Sequence, residues 1–378
     1  MRTIDVAERR ARLARRHRLV PGHRASDVVD AARSVVCLHA TDPATVYLSA
    51  RARVANMTVN DLDRALYADR SLVKHLAMRR TLFVVLRETL GLVQAGASNR
   101  VADAERRRLI RDVEKAGLHP DGECWLSEAG GEVLAALSEG REATFSQLRD
   151  EVDLLQGSIT YGEGKPWGGQ APVGSRVLTT LSAAGQLVRA TNDGGWTTSR
   201  PRWASMRSWL GEELAPPPER EAVSRLVEHW LRAFGPGTAA DIKWWLGSTV
   251  AAVRRALTDL GAVEVDLDGQ TGYLLAGDLE PTDAVEPWAA LLPSLDPTTM
   301  GWVARDWYLG PHREQLFDRN GNAGATAWWD GRIVGGWRQS DAGEVVLQML
   351  EDVGANGQGA LEQEAARLTQ WLGGTRVA

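Results

Sequence analysis

One pattern of elements occurs twice in this chain, and it leaves few folds open. In the first copy, Leu126 to Leu137 reads as a helix and Thr144 caps a short helix, FSQLRDEV. GSRVLTTLSAA, Gly174 to Ala184, is the next helix, and the strands QLVRAT and GWTTSRP follow around Asn192-Asp193-Gly194-Gly195. In the second copy, Glu221 to Phe234 is a helix, Thr238 caps AADIKWWLG, and Ser248 caps TVAAVRRALTDLG. The strands AVEVDLD and TGYLLA then meet at Asp268-Gly269. Asn or Asp before Gly, between alternating apolar runs, signals a hairpin because its turn needs positive φ. Helix, short capped helix, helix, hairpin is the element order of a winged helix, and its recurrence argues against chance. The run Ala215 to Pro218 reads as a linker between the copies.

Ahead of the repeat, CLHATDP (Cys37 to Pro43) concentrates polar groups on one short turn. Asp27 to Leu38 has apolar residues at helical spacing, and Pro43 opens the next helix with Asp42 as its N-cap. His39 and Thr41 alternate around Ala40, so an extended backbone aims both to one side. Such a pair can hold a water or a reacting atom; a cap with a packed histidine explains the same residues without a function. Leu76 to Leu86 reads as one strand with an irregular start, and Glu88 to Ala116 as a long helix. The arginine-rich stretch ERRARLARRHRL reads as a solvated helix face, with a phosphate-contacting helix as the alternative.

A net charge of −5 over 378 residues excludes a general polycation, so nucleic-acid binding has to use local basic patches. Two cysteines, Cys37 and Cys124, form no disulfide framework and fit a reducing cytoplasm, and no apolar run is long enough for a membrane. The third helix of a winged helix is the usual groove reader, and here it carries Arg176 in one copy, Arg254 and Arg255 in the other. The first wing offers Arg189, Arg200 and Arg202, interleaved with Trp196 and Trp203. The loop Tyr161 to Gln170 sets Lys165 and Trp167 among glycines, as a surface loop facing nucleic acid. Exposed arginines are also commonly just solvated, and winged helices also serve as protein–protein modules. From Trp288 onward the chain is strand-like, with Trp328, Trp329 and Trp337 alternating across a hairpin and Asp296 turning the backbone before Pro297. No metal-site spacing, phosphate-cradling loop or nucleophile elbow occurs, so neither a metal nor a cofactor is expected.

In order, CLHATDPATVYLSARAR, RRTLFVV, GSRVLTTLSAAGQLVRA, FGPGTAADIKWWLG, LTDLGAVEVDLDGQTGYLLAGDL, LLPSLDPTTMG and DGRIVGGWR resemble the AlkZ/YcaQ-type winged-helix DNA glycosylases. The resemblance implies an α+β fold of about three tandem winged-helix units and a β-rich C-terminal domain. Their expected bounds are 1–117, 118–214 with its wing at 186–203, 215–285, and 286–378. It implies excision of alkylated purines, including bulky or crosslinked adducts, from double-stranded DNA, in genome maintenance or resistance to genotoxic metabolites. His39-Ala40-Thr41 stands where active relatives carry Gln-x-Gln or Gln-x-Asp, which makes His39 and Thr41 the expected catalytic pair. Arg79-Arg80-Thr81-Leu82-Phe83 stands where the family commonly reads Arg-Gly-Thr-Leu-His, which sets Arg79 and Arg80 where lesion contact is expected.

A purine alkylated at its 7-nitrogen is already cationic, so its glycosidic bond breaks without an acid. What remains is to stabilise an oxocarbenium-like sugar and hold a water, as in sugar hydrolysis. A neutral imidazole and a hydroxyl suit that task, and an unperturbed histidine near pKa 6.5 predicts activity rising from about pH 6 to 7. No lysine nucleophile sits at the turn, the nearest basic residue on its C-terminal side being Arg51, so the expected product is an abasic site in an uncut strand. Three readings stay open: a monomeric, nucleoid-associated cytoplasmic glycosylase, a regulatory or protective DNA-binding protein without excision, and an enzyme of unrelated chemistry on the same fold.

Overall fold

The computed structural model describes residues 1–162 and 168–377. Its first strand, β1 (Arg2–Thr3), is followed by the helix Val6–Arg16, β2 (Cys37–His39), the helix Pro43–Arg51, and the strands β3 (Leu72–Ala77) and β4 (Thr81–Leu86). These three strands form a sheet in the order β2-β4-β3. A hairpin therefore replaces the single strand expected over Leu76–Leu86. Its turn is built on Arg79 and Arg80, at φ 55° and 60°, where the sequence holds neither the glycine nor the asparagine that marks such turns. Side chains in that conformation cost about 1–2 kcal/mol each, so the turn is held by its surroundings and not by its own preference.

The second unit runs through the helix Gly122–Ala136, β5 (Ala143–Thr144), the helix Phe145–Glu151, the hairpin β6 (Ser158–Tyr161) and β7 (Gly169–Pro172), and the helix Val173–Ala183. The wing strands β8 (Leu187–Asn192) and β9 (Pro201–Ser205) complete a sheet ordered β5-β9-β8, the same arrangement as in the first unit. Thr144 caps its helix as expected, in a reciprocal box with Gln147. The expected strand GWTTSRP is mostly turn, because the Asn192 side chain accepts the Arg200 N–H at 2.8 Å and donates to the Thr198 carbonyl at 2.8 Å.

The third unit repeats the order with the helices Glu219–Phe234, Ala239–Leu246 and Val250–Asp259 and the strands β10 (Val263–Leu267) and β11 (Gln270–Leu274). Thr238 boxes with Asp241 as expected, while Thr249 and not Ser248 caps the last helix, accepting the Ala252 N–H at 3.2 Å. β1 pairs in parallel with β10, tying the N-terminus to this wing. The C-terminal part is an antiparallel sheet of β12 (Ala289–Leu292), β13 (Thr326–Trp329), β14 (Arg332–Gln339) and β15 (Val345–Met349), packed by the helix Gly354–Leu372. The chain is α+β, with no helix among the described residues long and apolar enough to cross a membrane.

The cores do not divide evenly among the units. The second unit has its own, around Trp125, Leu148, Leu178 and Trp203. A larger core joins all the units: Leu38 and Val84 of the first, Val188, Ala204 and Trp209 of the second, Trp230 and Phe234 of the third, and Trp302 and Tyr308 of the C-terminal part. The helix expected to present a solvated arginine face lies inside this assembly. Arg12 is buried between Glu8 at 2.9 Å and Asp278 at 3.0 Å, Arg16 meets Asp278 at 2.6 Å, and Arg9 lies 4.2 Å over the Trp307 ring. Guanidiniums with apolar stems and flat faces pack well on protein, and here they serve as internal fastening.

Asp296 turns the backbone as expected, by accepting the Thr298 N–H at 2.8 Å, and it does more. Both its oxygens hold Arg53, at 2.8 and 2.9 Å, and neither side chain has any exposure. Arg53 also donates to the Thr298 hydroxyl at 2.7 Å, which lies 2.9 Å from Nδ1 of the buried His17.

Candidate active site and nucleic-acid face

β2 ends at His39, and its register decides what His39 meets. His39 lies opposite Phe83, which lies opposite His75, so these three share one face of the sheet. Leu38, Val84 and Lys74 form the next row and face the other way. The Ala40 N–H extends the pairing by donating to the Leu82 carbonyl at 2.9 Å. Asp42 then caps the following helix through the Ala44 N–H at 3.1 Å and the Thr45 hydroxyl at 3.1 Å. His39 and Thr41 thus flank a buried alanine, and the Thr41 N–H points at His39 Nδ1 over 3.4 Å. That contact favours the tautomer with its proton on Nε2, leaving Nε2–H as a donor.

His39 is only 8% exposed and edge-on to Phe83, with 5.5 Å between ring centroids. Burial, and after it the Arg79 charge, pushes its pKa down to about 4. The imidazole is therefore neutral throughout the range where an unperturbed one titrates, with its own titration near pH 4 in place of the expected 6 to 7. Thr41 is exposed.

Arg79 and Arg80 divide the work of their turn. Arg80 is paired with Glu105 at 3.0 Å. Arg79 has no carboxylate partner among the described residues; its guanidinium lies 4.1 Å over the Trp244 ring. Arg305 lies 5.2 Å from the same ring, so one indole serves two cations. Burial lowers the pKa of both arginines, and Arg305 lowers that of Arg79 further. A cationic stack thus stands beside His39, built from the first unit, the third unit and the C-terminal part.

The other expected contacts are more dispersed. Arg176 is tied to Asp112 at 3.1 Å, and Arg202 to Asp193 at 3.2 Å. Arg189 is half-buried with its guanidinium 5.4 Å from the Trp203 ring, while Arg200, Arg254 and Arg255 are exposed. Arg255 lines a shallow groove with Glu219 and Asp259. Lys165 and Trp167 lie outside the described residues.

The wing itself reaches across to the first unit. Trp196 packs on Tyr47 at 5.2 Å and on Trp371 at 5.4 Å. Beneath it, on the face of the sheet opposite His39, Lys74 donates to the Tyr67 hydroxyl at 2.6 Å, and Tyr47 donates to Asp63 at 2.5 Å. Burial, then Arg189, pushes Lys74 down to about 8. Neither Trp244, Arg305 nor this Lys-Tyr cluster is signalled in the sequence, where each reads as an ordinary core or surface residue.

A model of the AlkZ-like DNA glycosylase family matches residues 32–371. The solved structure of Streptomyces sahachiroi DNA glycosylase AlkZ superposes with a TM-score of 0.76 over 99% of this chain and 98% of that one, at 22% identity. At that identity the likeness is one of fold. No curated protein sequence matches the chain.

Proposed function

Because the chain belongs to the AlkZ-like DNA glycosylase family, we propose that it hydrolyses the N-glycosidic bond of alkylated or bulky, crosslinked purine adducts in duplex DNA. In this reading it works as a monomer and leaves an abasic site. The observation that carries the reading is the neutral His39 beside Thr41, at a strand end flanked by Arg79, which has no carboxylate partner among the described residues and lies over the Trp244 ring. Nε2–H and the Thr41 hydroxyl fix the attacking water on the sugar. An uncharged imidazole adds no repulsion to the oxocarbenium ion, and a pKa near 4 makes it an orienting group more than a strong base.

Single-turnover release of 7-alkylguanine from a methylated duplex tests this. Wild-type protein releases the base, and His39→Ala slows the step by about 10²-fold, the low end for a positioned acid–base group. His39→Gln, with no titrating ring, retains much of the rate. Equal rates in wild type, His39→Ala and Thr41→Ala remove both residues from the mechanism. The low exposure of His39 favours a second reading, a protective DNA-binding protein; salt-dependent binding with no base release selects it.

Lys74, the amine whose pKa is lowered enough to act as a nucleophile, faces away from His39 across the sheet. Borohydride is accordingly expected to trap no covalent protein–DNA adduct, and an adduct carried by Lys74 contradicts the monofunctional reaction. Arg79→Ala is expected to weaken binding to damaged and undamaged duplex alike and to flatten the slope of log K against log salt by about 0.9, one phosphate contact. An unchanged slope takes Arg79 off the DNA.

A further inference from the structure

Between the first unit and the C-terminal helix lies a cavity of about 690 Å³ whose walls hold Arg24, Arg51, Arg367, Glu364, Met57 and Trp371. The Arg51 guanidinium makes no hydrogen bond among the described residues; its nearest carboxylate oxygen, on Glu364, is 3.8 Å away. The other Glu364 oxygen is taken by Arg367 at 2.5 Å. Arg24 spends one nitrogen on the Ala52 carbonyl and shares the same single carboxylate. The neighbouring Arg53 is already neutralised by Asp296. Burial lowers the pKa of Arg24 and Arg51; Glu364 opposes it in both, Arg367 lowers both further, and Arg24 adds to the lowering of Arg51.

Three guanidiniums thus share one carboxylate at this cavity. A desolvated cation with unspent donors is costly until an oxyanion takes them, and the planar fork of arginine matches phosphate oxygens in pairs. Here Arg51 is recessed, with 13% of its side chain exposed, and the apolar walls at Met57 and Trp371 leave room beyond a single ion. Cavities of this size hold small molecules.

We propose that this cavity binds a phosphoryl oxyanion, gripped by Arg51 and Arg24 with Arg367 at the rim. The phosphoryl group belongs either to a free phosphate ester or to a nucleic-acid backbone, and the site is distinct from the turn at His39.

Calorimetric titration of the full chain with inorganic phosphate, in low-chloride buffer, tests it. Saturable binding is expected, weakened about tenfold to a hundredfold in Arg51→Met, the loss of one charge-assisted contact. Arg367→Gln, at an exposed side chain, gives a smaller loss in the same direction. Glu364→Gln tightens binding, a sign that general destabilisation does not produce, and a thermal melt of each variant confirms folding. Undamaged duplex that displaces the phosphate identifies the backbone as its source, and phosphate that stays bound beside duplex identifies a free ester. Absence of saturable phosphate binding, or equal affinity in wild type, Arg51→Met and Glu364→Gln, overturns the proposal.

Discussion

Arg53→Met lowers the free energy of unfolding by about 3–5 kcal/mol, the usual cost of leaving one member of a buried ion pair without its partner. The reason is geometric. Asp296 receives two hydrogen bonds from Arg53 with no solvent at either side chain, so a lone Asp296 carboxylate has no water to turn to. The same substitution frees the Thr298 hydroxyl, which Arg53 holds and His17 contacts. Urea unfolding followed by tryptophan fluorescence measures the loss. Because the core around this pair joins all the units, the loss is expected in the main transition. Replacing both members, as Arg53→Met with Asp296→Leu, costs less than Arg53→Met alone. A loss under about 1 kcal/mol for Arg53→Met would show the pair to be dispensable.

Acid destabilises this protein from about pH 6 downward, well above the range of its carboxylates. Burial pushes His17 down to about 3, helped by Arg53, and pushes His39 and His75 each to about 4. A histidine that stays neutral when folded and takes a proton when unfolded, near pH 6.5, favours the unfolded chain as pH falls below that value. Its contribution to stability is whole above pH 6.5 and is lost toward the folded pKa. Each such group removes about 1.4 kcal/mol per pH unit, so three together remove up to about 4 kcal/mol per unit around pH 5. Asp296 adds to this only lower down. Burial raises its pKa, but Arg53 and the hydrogen bonds it accepts outweigh that, so its share is present above about pH 4 and lost below. Urea midpoints at pH 7.5, 6 and 5 check the slope, and His17→Gln makes it shallower by about a third. A midpoint constant from pH 7.5 to 5 contradicts the burial of these rings. Across pH 6 to 8, excision carries no limb from His39.

The repeated unit was legible because its signals are local. Thr144 and Thr238 cap helices whose free N–H groups lie three residues away, and Asp268-Gly269 turns a hairpin on its own φ preference. The Asp42-Pro43 helix start was legible on the same grounds. Where the local signal fell silent, the reading failed: Arg79-Arg80 carries no turn signature, so a hairpin passed for one strand.

What the sequence determined by itself was the order of elements in the repeated unit, the α+β class and the family, since periodicity, caps and turns depend on neighbours a few residues apart. Tertiary structure alone decided the charge state of His39, the partner of Asp296, the stacking of Arg79 on Trp244 and the docking of Trp196 on Tyr47. Desolvation and ion pairing depend on what arrives from far along the chain, and Arg53 and Asp296 meet only once the fold has removed the water between them.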